Sequence, residues 1–214
     1  AWALVTAHNS AGKLAEGIAE NEALLKNDRN NRSALIYLLS AYKVNANWTG
    51  VIDTGSRLVS LDPSNASLYY AEVGAARLRA GDLDAAVEAY MRAMSAGNAA
   101  TWPETARHAK DSGALAALEE RVDMAFRSRP RRSTGVVLYE LRSAAKDTRG
   151  MVEVADRLAK LYPDDSVSWL LLGQAYEQSG DQQMALIAYA KAAAGSDPEA
   201  AAAAKARMAV LRGK

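Results

Sequence analysis

The chain has 214 residues, 50% hydrophobic and 24% charged, with a formal net charge of +1. That balance is globular rather than disordered, and so small a total excludes a global field that would draw nucleic acid or an anionic membrane. Cysteine is missing, which excludes disulfides and thiolate metal sites.

No window approaches the ~20 apolar residues of a membrane span. The opening "AWALVTAHN" lacks the basic start, long apolar centre and cleavage site of a signal peptide. Because residue 1 is alanine, a leader or a preceding segment could have been removed, and the compartment stays open between cytoplasm and bacterial periplasm.

Residues 1–31 read as a helical hairpin with a shortened first helix. Helix pairs are then predicted at 33–45 with 48–60, 66–80 with 83–96, 100–112 with 114–128, 134–146 with 149–161, and 166–179 with 182–195. A last helix over 199–212 carries Ala201, Ala204, Met208 and Leu211 on one face, as a terminal cap does. The N-terminal end shows no comparable cap, so more repeats or another domain are expected before it.

Prolines set the period. There are 67 residues from Pro63 to Pro130, 33 from Pro130 to Pro163 and 35 from Pro163 to Pro198. A fixed period in this range is the mark of a solenoid. Pro103 is off the beat and fits the first turn of a helix, where proline is tolerated. Gly81, Gly113 and Gly180 fall where first helices should end, and Asp82 and Asp181 follow two of them as caps. Ser64 or Asn65, Ser133 or Thr134, and Asp164 or Asp165 are candidates to cap the helices after the prolines.

The clearest unit, 166–198, reads Trp169, Leu172, Gly173, Tyr176, then Gly180, Ala185, Tyr189, Ala192 and Pro198. This resembles the tetratricopeptide repeat. Unit 67–98 keeps Tyr70, Gly74, Gly81, Ala86, Tyr90 and Ala93, but has Arg77 where the family usually has tyrosine. Unit 99–131 keeps Trp102, Ala106, Gly113, Ala125 and Pro130; units 32–66 and 132–165 match fewer positions. The resemblance implies an all-α, right-handed superhelical solenoid of antiparallel helix pairs. It would run as one array over 1–214, with five to six repeats and a capping helix. In it Gly74, Ala106 and Gly173 would let paired helices approach closely, and Trp102, Trp169, Tyr70, Tyr90, Tyr176 and Tyr189 would pack in the core.

Catalytic patterns are lacking: the sequence has no phosphate loop, dinucleotide fingerprint, zinc-protease helix or nucleophile elbow. His108 has Glu104 and Asp111 at helical spacing, a trio more in keeping with a polar helix face than with a metal site; His8 stands far from it in the chain. The run Arg127, Arg129, Arg131 and Arg132 could grip phosphate, as in a nucleic acid, or an acidic partner, but it has no aromatic platform and fits a solvated turn.

What the resemblance implies is therefore a non-catalytic scaffold or adaptor, a segment of a larger bacterial assembly protein, with no cofactor. It would bind a protein or peptide in the concave groove lined by first helices. Tyr37, Ser40, Arg107, Lys110, Glu140, Leu171 and Gln174 are the expected groove residues, taken as exposed. The family's clamp for acidic C-termini is absent, since its positions here hold Ser33, Ile36, Tyr37 and Ser40, then Leu68, Ala71, Glu72 and Ala75. The alternative is an accessory repeat domain of a larger enzyme, such as a glycosyltransferase, with the chemistry elsewhere.

Overall fold

The computed structural model describes residues 1–213. Among them there are thirteen α-helices, one short 3-10 turn and no strand. The helices group into two compact units, 1–118 and 119–213, with the division falling inside one helix.

The first unit contains α1 (Trp2–Ser10), α2 (Leu14–Asn27), α3 (Arg32–Val44), α4 (Trp48–Leu61), α5 (Ala66–Arg79), α6 (Leu83–Ala96) and α7 (Trp102–Ser112). Helix α8 (Leu115–Ser128) crosses the division. The second unit holds α9 (Arg132–Ala145), α10 (Thr148–Leu161), α11 (Ser166–Ser179), α12 (Gln182–Ala194) and α13 (Pro198–Arg212). From α2 to α6, and again from α9 to α13, each helix packs on its neighbour in the chain. Nearest-neighbour packing of this kind is how helical repeats build a core.

Every connection is short because the side chains start and stop helices locally. Among the described residues, Asn31, Asn47, Asp82, Asp147, Asp165, Asp181 and Asp197 cap helix N-termini by accepting a backbone N–H three residues on. Gly81, Gly113 and Gly180 take φ of 85°, 92° and 84°, the left-handed conformation that ends a first helix. Two cap expectations are corrected. Ser64 and Asn65 do not cap α5 but donate to Asp62, beside the 3-10 turn at Pro63–Asn65. Neither Ser133 nor Thr134 caps α9, which begins earlier, at Arg132, after the extended residue Arg131.

In the first unit, Leu35, Leu39, Val51, Leu58, Tyr69 and Ala76 form a core shared by α3, α4 and α5. In the second, Ala185, Tyr189 and Ala192 of α12 pack on Ala204 and Leu211 of α13, so the last helix seals its neighbour as its apolar face requires. Small residues permit the close approaches. A Cβ on Gly74 would lie 2.9 Å from the Tyr90 ring, and one on Gly173 only 2.4 Å from the Tyr189 ring.

Candidate protein-binding surfaces

In the first unit a cleft of about 320 Å³ opens along the first helices of successive hairpins. Its apolar lining residues are Trp2, Val44, Trp48, Val51, Ala75 and Ala76, and its polar ones are Lys43, Glu72, Arg79, His108, Asp111 and Ser112. Helices α3, α5 and α7 supply most of these residues, and Trp2 of α1 stands at the rim with 59% of its surface exposed.

Three of the polar lining residues are held together by one carboxylate. Glu72 pairs with Lys43 of α3, and its second oxygen lies 3.7 Å from His108 Nε2 of α7. Burial pushes the Glu72 carboxyl up, but His108 and Lys43 outweigh it and hold the group below the usual carboxylate range. His108 Nδ1 and the Tyr90 hydroxyl are 2.9 Å apart, and that hydroxyl also meets Ser112 Oγ at 2.8 Å. The chain of contacts thus runs from α3 through α5 to α7 and α6. The imidazole does not join Glu104 and Asp111; those two flank Arg107, at 3.7 and 3.2 Å. Arg79, at the C-terminal end of α5, is exposed and has no ion pair among the described residues.

The expected groove residues divide by environment. Tyr37 and Leu171, taken as exposed, are buried, with 3% and 7% of their surfaces accessible. The reason is local. The Tyr37 hydroxyl lies 2.6 Å from His8 Nδ1 and passes so close to Gly17 that no side chain could stand there, tying α1 and α2 to α3. Leu171 lies on α11, a helix that packs on both α10 and α12. Ser40 is half-buried and donates to the Ile36 carbonyl at 3.2 Å. Arg107 and Lys110 are exposed on α7 but do not line the cleft. Glu140 and Gln174 are half-buried in the second unit. Lys43, Glu72, Arg79 and His108 were not expected as a set. Lys43 and Arg79 stand near the C-terminal ends of α3 and α5, but Glu72 and His108 lie in the middles of α5 and α7, so no common position in the repeat marked them.

The arginine run is largely spoken for where it can be paired. Arg127 meets Asp123 at 2.6 Å and Arg132 meets Asp165 at 2.8 Å, while Arg129 and Arg131 stay exposed. Among the described residues no helix is long and apolar enough to cross a membrane.

No family profile and no curated protein matches the chain. Among solved structures, MamA is 19% identical at a TM-score of 0.38, with 87% of this chain and 85% of that one covered. YrrB, described as a tetratricopeptide-repeat protein with an unusual peptide-binding site, is 13% identical at 0.42, covering 87% and 97%. A tetratricopeptide-repeat protein from Parabacteroides merdae is 10% identical at 0.44, covering 97% and 83%.

Proposed function

We propose that this chain is a protein-interaction module without a catalytic site, which binds an extended segment of a partner on the inner faces of its first helices. The cleft of the first unit carries the reading. It combines apolar lining residues, an exposed tryptophan and an arginine with no internal partner. Tryptophan and arginine are the side chains most often found at binding hot spots, and a largely apolar cleft with a few convergent polar groups is what a bound side chain requires. Lys43, Glu72 and His108 are already paired with one another, so they shape the cleft rather than perform chemistry. Arg107 and Lys110 would extend the same surface along α7.

The test uses a phage-displayed library of random linear dodecapeptides. The chain should capture peptides, and Ala75→Trp, which fills the cleft, should reduce their recovery by about tenfold or more. Arg149→Ala, on a side chain 91% exposed on α10, should leave recovery unchanged. Trp2→Ala provides a second route if the filled variant folds poorly. Absence of captured peptides, or capture indifferent to both cleft variants, overturns the proposal.

A further inference from the structure

The cleft of the first unit is half of a longer trough. A second cavity, of about 210 Å³, shares His108 with it as a lining residue. On α5, Leu68 and Ala71 line the second cavity, and Glu72, Ala75 and Arg79 line the first. Those five residues recur at helical spacing and so share one face of the helix. On α7, Glu104 and Thr105 line the second cavity, Asp111 and Ser112 the first, and His108 both. Helices α5 and α7 pack on each other, so the two cavities form one trough along their seam. From Leu68 to Arg79 the helix rises about 16 Å, the span of about five extended residues.

The two ends of the trough differ in charge. In its middle, Lys43 and His108 are both turned to Glu72. Glu104 and Asp111 share a single guanidinium, that of Arg107, at 3.7 and 3.2 Å. One cation neutralises at most one of these two acids. The longer contact leaves Glu104, with 73% of its side chain exposed, as the less satisfied one. In the first cavity Arg79 is exposed and has no ion pair among the described residues, although Asp111 lines the same cleft. An uncompensated cation therefore marks one end and a loosely held acid the other.

We infer that the partner segment lies extended along this seam, with an acidic side chain at Arg79, a bulky apolar residue next to that acid, and a basic side chain at Glu104. The apolar residue is what Trp2, Val44 and Trp48 in the first cavity require. The acid is a side chain within the segment, which a guanidinium can grip through two parallel hydrogen bonds. Complementary charges fix register and suppress wrong partners more than they add affinity. A segment laid the other way round would set like charges against each other at both ends, so the trough reads direction as well as composition. The inference rests on the reading that this cleft binds a partner segment, and adds what that segment contains.

The experiment sequences the dodecapeptides that the full chain captures from the random phage-displayed library. Captured peptides should carry Asp or Glu about four to five residues from Lys or Arg, with the bulky apolar residue beside the acid. That pattern should be enriched roughly threefold over the unselected library, the preference that an exposed ion pair supplies. Arg79→Glu should replace the acid of the pattern by a base, and Glu104→Lys should replace the base by an acid. The double swap should move the apolar residue next to the base. Arg79→Gln and Glu104→Gln, in which the bias at each end should vanish, serve if a reversed charge unsettles its helix. Capture that depends on Ala75 but shows no such pattern, or a pattern untouched by the changes at Arg79 and Glu104, overturns the inference and leaves the binding reading standing. If no peptide is captured, that reading falls and the inference falls with it.

Discussion

Gly173→Ala is the sharpest test of how the repeat is packed. An added Cβ would stand 2.4, 2.5 and 2.9 Å from Cδ1, Cε1 and Cγ of Tyr189. Ordinary contact begins near 3.4 Å, so the ring would have to retreat by about an ångström. It has no room to do so. Tyr189 is fully buried, and its hydroxyl donates to Glu177 Oε2 at 2.7 Å. Glu177 is itself held by Arg207 of α13, whose Nε lies 3.1 Å from the same oxygen. Forced overpacking costs about 1–3 kcal/mol, while replacing a mid-helix glycine by alanine returns about 1 kcal/mol of helix propensity. The net loss should be up to about 2 kcal/mol, and Gly173→Leu, which adds bulk without a larger propensity gain, should lose more. Urea unfolding gives the magnitude, and amide exchange should show the damage concentrated in α11 to α13, since contacts are between neighbours. In a double-mutant cycle, Tyr189→Ala should absorb much of the penalty, because the two residues compete for one space. Gly74→Ala, where the Tyr90 ring is 2.9 Å away, should be milder. A Gly173→Leu protein as stable as the parent would refute the close-approach argument.

Two further outcomes are expected. Asp62 is 4% exposed, accepts from Ser64, Asn65 and Tyr69 and pairs with Arg32; those hydrogen bonds hold its carboxyl down at about 2. Because the folded value lies below the unfolded one, its contribution is present above about pH 4 and lost as pH falls toward 2. Asp62→Asn should lower the thermal midpoint at pH 7, and the gap to the parent should close across that acid window. At the start of α12, Asp181→Ala removes the acceptor of the Met184 N–H at 3.0 Å. It should cost about 1 kcal/mol and speed exchange in the first turn of that helix, whereas Asp164→Ala, in an exposed turn, should change neither.

What the sequence by itself determined was local. Proline spacing, glycines at helix ends and aspartates after them fix where the chain can and cannot be helical. Those constraints act within four residues, so 166–179 and 83–96 are legible without any neighbour, and the small residue at Gly173 announces a close approach. Cap chemistry was partly hidden: Ser64, Asn65, Ser133 and Thr134 are all competent cap residues, and only the packing around Asp62 and the early start of α9 at Arg132 chose against them. Side-chain environment was decided by tertiary structure. Tyr37 and Leu171 occupy positions that a single repeat would leave open, but burial depends on adjacent helices, and those helices cover them. The same holds for charge. Periodicity offers His108 only Glu104 and Asp111, its own helical neighbours, whereas the fold brings it Glu72 from α5 and Tyr90 from α6. A contact across 36 residues, between Glu72 and His108, has no local signature, because it exists only once the helices have packed.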